Sequence, residues 1–283
     1  MNVVFVTVPR SFKHPYLNSQ INMLNAIRNF NPESKVVLYS DDEGVYEFAE
    51  SNYCIAPKRV DKIGKLPLVN SALKYTADLF PDSCICFINS DILVMANLMP
   101  LISYVNNTKF KELFVLTAYR KEANISSFLT DGDLDALRTD SSLKKGRHHA
   151  MDIFILPASL IENLNMPAYR VGRIGWDSWI AGKTRKLGLA LIDISAVVRI
   201  VHQDHPQNHD KTGWNTLWDD WYSHGISNFG SLIDCNYKAE LSKEGFYLRF
   251  SFKQHLYGTL IGRMLRAFRR ILLAFFRENI LKR

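Results

Sequence analysis

No run of apolar residues in this 283-residue chain approaches the ~20 needed to span a bilayer, so a multi-span membrane protein is excluded. The glycine patterns that cradle a dinucleotide or a P-loop phosphate are missing, and so are C-x-x-C and H-E-x-x-H, the usual marks of a zinc site. Cysteine is scarce. Cys54, Cys84, Cys86 and Cys235 lack metal-ligand spacing, and Cys84 and Cys86 alternate along a run that reads as a buried strand, so a reduced, cytoplasmic protein is expected. The opening MNVVFVTVPRSF has only a strand's length of apolar residues before Pro9, and no signal peptide is expected. There is no internal repeat and no low-complexity segment. With 47% hydrophobic and 22% charged residues the composition is globular, which sets aside disorder, collagen and coiled coil.

The formal charge of +7 admits nucleic acid, an anionic membrane surface or a phosphate-bearing substrate as partner. Its distribution narrows the choice. Residues 258–283 hold seven bases (Arg263, Arg266, Arg269, Arg270, Arg277, Lys282, Arg283) and one acid (Glu278), leaving only +1 for everything before them. A nucleic-acid binder spreads its bases over the folded face, so no nucleic-acid partner is expected. In the same tail Leu260, Ile261, Met264, Leu265, Phe268, Ile271, Leu272, Phe275 and Phe276 keep helical spacing. Such a helix either docks on the body or lies peripherally on an anionic inner membrane face.

Strand-like and helix-like segments alternate through the first half. Val3 to Val8, Lys35 to Tyr39 and Cys84 to Ile88 read as strands; Tyr16 to Phe30, Val45 to Glu50 and Leu68 to Phe80 read as helices. That alternation predicts an α/β fold with a mainly parallel sheet flanked by helices. Glu112 to Ala118 and Met151 to Leu156 add strands, with the polar stretch 121–150 between them expected as a loop. A helix is expected from near Asp177 to Leu187, stopped by Gly188, and then strands over Leu189 to Asp193 and Val197 to Val201. The predicted division is a catalytic domain over 1–235 and a C-terminal extension over 236–283 carrying the basic helix.

In sheets of this kind ligands bind beyond the carboxyl ends of the strands. Four polar strand exits stand out: Thr7-Val8-Pro9-Arg10, Ser40-Asp41-Asp42, Asn89-Ser90-Asp91 and His202-Gln203-Asp204-His205. Asp91 either ligates a hard divalent cation such as Mg²⁺ or Mn²⁺ or caps a following helix. His202, Asp204, His205, His209 and Asp210 put five possible ligands close together. In Gly172-Arg173-Ile174-Gly175-Trp176-Asp177-Ser178-Trp179 the acid is either a helix N-cap, as Ser178 also could be, or a general base beside aromatic planes that hold a sugar. Lys62-Ile63-Gly64-Lys65 is a surface loop or a phosphate contact. Trp214, Trp218 and Trp221, with Asp219 and Asp220, either shape an acceptor site or pack.

Taken together, Asn89-Ser90-Asp91, Met151-Asp152-Ile153-Phe154-Ile155-Leu156-Pro157, Gly172 to Trp179 and His202-Gln203-Asp204-His205 resemble the ordered motifs of metal-dependent nucleotide-sugar glycosyltransferases of the GT-A fold. The first looks like a variant of that family's D-x-D motif. The resemblance implies Asp91 and His202 as ligands of Mn²⁺ or Mg²⁺, with Asn89 and Ser90 beside them. It implies Thr7, Pro9, Arg10, Asp41 and Asp42 around the nucleoside, Lys65 facing the diphosphate, Trp176 at the sugar and Asp177 as base of an inverting transfer. The donor would be a UDP- or GDP-sugar and the acceptor a glycan or lipid-linked hydroxyl. The competing readings are a metal-dependent phosphohydrolase and a non-catalytic nucleotide-sugar or glycan-binding protein.

Overall fold

A computed structural model describes residues 2–146, 150–204 and 230–252. His205, His209, Asp210, the Trp214 to Trp221 cluster and the 258–283 tail lie outside the described residues. The first unit runs β1 (Val3–Thr7), α1 (Leu17–Phe30), β2 (Lys35–Leu38) and α2 (Val45–Ser51). A hairpin of β3 (Lys62–Ile63) and β4 (Leu66–Pro67) turns at Gly64, whose φ of +63° suits glycine. Then come α3 (Val69–Leu79), β5 (Cys84–Ile88), β6 (Ile92–Val94), α4 (Met99–Asn106), β7 (Phe114–Thr117), β8 (Lys121–Asn124), α5 (Asp131–Thr139) and β9 (Lys144–Lys145). The chain continues through β10 (Ile153–Pro157), α6 (Ala158–Leu164), α7 (Trp176–Lys186), β11 (Ala190–Asp193), β12 (Ile200–Asp204), β13 (Tyr237–Ser242) and β14 (Gly245–Phe250).

The main sheet has the order β14-β13-β11-β7-β10-β5-β1-β2 and is mainly parallel, with helices on both faces. Its central strands are apolar throughout because both of their faces are covered. Along β1, Val3 and Phe5 enter one core with Leu24 and Ile27 of α1. Val4 and Val6 enter the other, with Leu73 of α3, Ile161 of α6 and Trp179 of α7. The period-2 alternation of a strand thus feeds two cores at once. Besides the antiparallel β13–β14 pair at one edge, the strand that departs from parallel pairing is β10, antiparallel to both β5 and β7. Its reversal places the start of β10 at the same edge as the carboxyl ends of β1, β2, β5 and β7.

Three expectations change. The stretch 121–150 holds β8, α5 and β9; Thr130 and Asp133 form a reciprocal capping box that starts α5, a signal present in Thr130-Asp131-Gly132-Asp133. The strand expected at Val197 to Val201 sits three residues later, so His202 lies within β12 and not beyond a strand exit. It belongs to a second sheet of order β6-β12-β8-β9. The residues after 235 supply β13 and β14, and β13 pairs in parallel with β11, so the main sheet crosses the expected 235/236 boundary.

Where the chain returns after α7, Gly230 donates its N–H to the Ser178 carbonyl at 2.8 Å. A Cβ at Gly230 would fall 2.5 Å from Gly182 N and 2.8 Å from the Ala181 carbonyl carbon. Both neighbours are helix backbone and cannot swing aside. Gly230→Ala is expected to destabilise the fold by about 1–3 kcal/mol in urea titration; an unchanged midpoint would contradict this seating of α7.

Candidate active site

The site follows from the shared sheet edge. Asn89 leaves β5, Arg120 lies between β7 and β8, and Asp152 immediately precedes β10, so the antiparallel strand delivers its carboxylate to the ends of its neighbours. Asn89 Nδ2 donates to Asp152 Oδ1 at 2.8 Å, and Arg120 Nη1 meets Asp152 Oδ2 at 2.5 Å. Arg120 Nε also donates to Glu122 Oε1 at 2.8 Å. Glu122 Oε2 in turn lies 2.8 Å from His202 Nδ1, and His202 Nε2 lies 3.4 Å from Asp91 Oδ2. Four polar residues, Asp152, Arg120, Glu122 and His202, therefore link Asn89 to Asp91 through one chain of contacts.

The second sheet is fastened by its own buried amides. Gln203 donates through Nε2 to the Ser19 carbonyl at 2.9 Å and accepts from Asn22 Nδ2 at 2.9 Å, while its backbone N–H reaches the Asp91 carbonyl at 3.1 Å. With Gln203 turned toward α1, the alternation of β12 sends His202 to the opposite side, where Asp91 and Glu122 stand.

The electrostatics are those of crowded charge in a poorly hydrated place. Burial raises the Asp152 carboxyl, helped by the Asp91 charge, although Arg120 opposes it. Burial alone would lower the Arg120 guanidinium, but Asp152 and Glu122 hold it charged. Burial would raise Glu122, yet its bond from Arg120 carries it below the usual range. Burial would lower the His202 imidazole, and the adjacent Asp91 outweighs it, so the net direction is upward. Each direction reports a neighbour as much as burial itself.

Asp177 opens α7, where Gly175, at φ +114°, is the N-cap and no side chain caps the helix. Asp177 and Ser178 are therefore not N-caps. The carboxylate accepts from the Ser178 N–H at 2.7 Å and keeps a partly accessible edge. Burial raises it to about 7, with the Asp152 charge adding to the effect and Arg120 opposing it, which ties Asp177 electrostatically to the same cluster.

The other expected residues fall as follows. Thr7 ends β1 fully buried, and its hydroxyl has no hydrogen-bond partner among the described residues. Pro9 is buried, and Arg10 is exposed with its guanidinium 5.4 Å from the Tyr16 ring centroid and its backbone clipped in both directions by the Gln20 amide. Asp41 forms an ion pair with Lys62, which brings the β3–β4 hairpin and its exposed tip residue Lys65 over the end of β2. Asp42 is partly exposed, as is Ser90. Asp91 precedes β6, a strand, and caps no helix. Trp176 is buried edge-on to Phe87 and Phe154, at ring distances of 4.9 and 5.7 Å, so its plane is used by the core.

Sequence reasoning missed Arg120 and Glu122. The rule of strand exits, applied to the strand ending near Ala118, points directly to Arg120; Glu122 was hidden because the strand pairing of β8 with β12 is not visible in a four-residue polar run.

Asp91 and His202 are the pair that could hold a divalent cation. Asp91 Oδ2 and His202 Nε2 lie 3.4 Å apart, a separation compatible with two adjacent ligands of an ion holding each at about 2.0–2.2 Å. Among the described residues no three His, Cys, Asp or Glu side chains group to hold a metal by themselves, so substrate or water oxygens would complete the shell. A cavity of about 570 Å³ lies elsewhere, between α3 and α6, and none of its lining residues belongs to the cluster. No described helix is long and apolar enough to cross a membrane.

No protein-family model and no curated protein matches the chain. Solved structures do. GalNAc-T7 with UDP, GalNAc and Mn²⁺ is similar at 11% identity and a TM-score of 0.47, over 78% of this chain and 49% of that one. S. aureus TarS 1–349 in complex with UDP-GlcNAc is similar at 13% identity and a TM-score of 0.46, over 76% and 62%. A further S. aureus TarS structure is similar at 13% identity and a TM-score of 0.48, over 73% and 37%. The chain thus spans about half of the length of the first and less than two thirds of the second.

The Asp177 carboxyl supplies a pH-dependent prediction. Its folded value of about 7 exceeds the ordinary 3.8, so the folded chain binds this proton more tightly than the unfolded chain does. Its contribution to stability therefore falls as pH rises from about 4 to about 7 and is constant above that, a penalty of up to about 4 kcal/mol. Asp177→Asn is expected to be more stable than the wild type at pH 8, with the difference vanishing toward pH 4. Equal denaturation midpoints at pH 8 would remove the desolvated carboxylate from the account.

Proposed function

We propose that the chain is a nucleotide-sugar-dependent glycosyltransferase, taking a UDP- or GDP-sugar donor and a glycan or lipid-linked acceptor hydroxyl. The observation that carries the reading is the meeting of Asp91, His202, Asp152 and Arg120 at the carboxyl edge of a mainly parallel sheet, electrostatically coupled to a base of raised pKa at the start of α7. The motif resemblance supports the same assignment, and the Arg-rich amphipathic sequence of 258–283 supports an acceptor held at an anionic membrane surface.

Asp91 and His202 would hold a divalent ion, Mn²⁺ or Mg²⁺, which supplies neutralisation of the charge developing on a departing nucleoside diphosphate. Thr7, Pro9, Arg10, Asp41 and Asp42 follow β1 and β2 and would contact the nucleoside, and Lys65, at the exposed tip of the β3–β4 hairpin, would contact the diphosphate. Asn89 is committed to Asp152, which makes its part in donor binding indirect. Ser90 adjoins the ligand Asp91, and Trp176 braces the helix start from within the core.

The acceptor hydroxyl must lose a proton as the new bond to the anomeric carbon forms. Asp177 Oδ2 would take it. Oδ1 is held by the Ser178 N–H, which fixes the direction of the other oxygen. A base with a pKa of about 7 is roughly half ionised at neutral pH and still basic enough to drive the transfer. Attack opposite the leaving diphosphate gives inversion.

Titrating UDP-GlcNAc and other UDP- and GDP-sugars with Mn²⁺ is expected to raise the melting temperature of the full chain, and chelation is expected to abolish both the shift and transfer. Asp177→Asn should retain the donor shift while losing about 10²–10⁴-fold in turnover. Wild-type kcat/KM should rise with pH up to about 7 and then level off. Turnover near wild type in Asp177→Asn would eliminate it as the base, and no shift with any nucleotide sugar would eliminate the reading.

A further inference from the structure

Both oxygens of Glu122 are committed, one of them to the His202 ring. Oε1 receives Arg120 Nε at 2.8 Å and Oε2 faces His202 Nδ1 at 2.8 Å. An ionised carboxylate only accepts, so His202 Nδ1 carries a hydrogen and Nε2 is the atom directed at Asp91. The strand register enforces the same geometry: His202 lies opposite Glu122 in the parallel pairing of β12 and β8. Arg120 is in turn fixed from outside. Gly146 donates its N–H to the Arg120 carbonyl at 2.8 Å, and a Cβ there would meet that oxygen at 3.0 Å, Arg120 Cγ at 3.1 Å and Glu122 Oε1 at 3.3 Å. A glycine is what allows the end of β9 to close over the pair.

We infer that Glu122, clamped by Arg120 beneath Gly146, is the positioning residue of this site, setting the His202 tautomer and ring direction so that Nε2 and Asp91 present one cation site. The inference rests on the reading of Asp91 and His202 as ligands. It predicts a role that Gln cannot fill, since a glutamine has one acceptor oxygen where two are needed. In Glu122→Gln either the Arg120 bond or the His202 bond is lost, although size and fold are kept. Partners of this kind carry about 10–100-fold in metal affinity.

The test is Mn²⁺ titration of the full chain followed by electron paramagnetic resonance, together with ¹⁵N NMR of the His202 ring in the metal-free protein at pH 8.5. The wild type is expected to bind Mn²⁺ and to show the Nδ1–H tautomer. Glu122→Gln is expected to bind 10–100-fold more weakly, with the tautomer signature altered, and to recover turnover at high Mn²⁺. Gly146→Ala keeps the carboxylate but crowds it, and a severalfold weaker affinity is expected; it decides the matter if Glu122→Gln does not fold. Wild-type affinity and an unchanged His202 signature in these variants would overturn the positioning role while leaving the ligand assignment standing. Wild-type affinity in Asp91→Asn, or no Mn²⁺ binding by the wild type, would overturn both.

Discussion

Three carboxylates, Asp91, Glu122 and Asp152, share one partly buried place with Arg120 and His202, and the surrounding structure is organised by the need to keep that charge compensated. Removing Arg120 would leave two carboxylates facing each other without a guanidinium between them, an arrangement that low dielectric penalises heavily. The members arrive on separate segments. Asp91 follows β5, Asp152 immediately precedes the antiparallel β10, the β7–β8 connection brings Arg120, and the second sheet brings Glu122 on β8 and His202 on β12. The fold spends buried polar residues, Asn22 and Gln203, simply to fasten that second sheet to α1.

The arrangement also accounts for the tension between stability and chemistry. A carboxylate raised to about 7 at the start of α7 weakens the fold at neutral pH, and burial is the first cause. Strongly shifted groups of this kind cluster at functional sites. The charge is divided unevenly along the chain, with a body near neutrality followed by a strongly basic tail sequence.

Much of the scaffold was legible in the sequence because it is written in strong local signals. Cys84 to Ile88 and Val3 to Val6 are uninterrupted apolar runs of strand length, and α1 and α3 show helical spacing, so the α/β alternation emerges from periodicity alone. The site was legible where a polar residue follows such a run, as at Asn89 to Asp91. It was not legible where long-range pairing decides the outcome. β8 is four polar residues that become a strand through pairing with β12 and β9, and β12 begins later than its apolar residues suggest because its last residues are held by β8 and by Asp91. Trp176 illustrates what pairing in space adds: a Gly-Trp-Asp sequence draws attention to the indole, Phe87 and Phe154 hold it in the core, and the neighbouring carboxylate is coupled electrostatically to the cluster.

The central claim is that Asp91 and His202 mark the place where a metal and a nucleoside diphosphate meet. A crystal of the protein soaked with a nucleotide sugar and Mn²⁺ tests it most directly. The account predicts an anomalous manganese peak within coordination distance of both side chains, bridged to diphosphate oxygens. A donor bound in the α3–α6 cavity instead, with no manganese at Asp91, would contradict it.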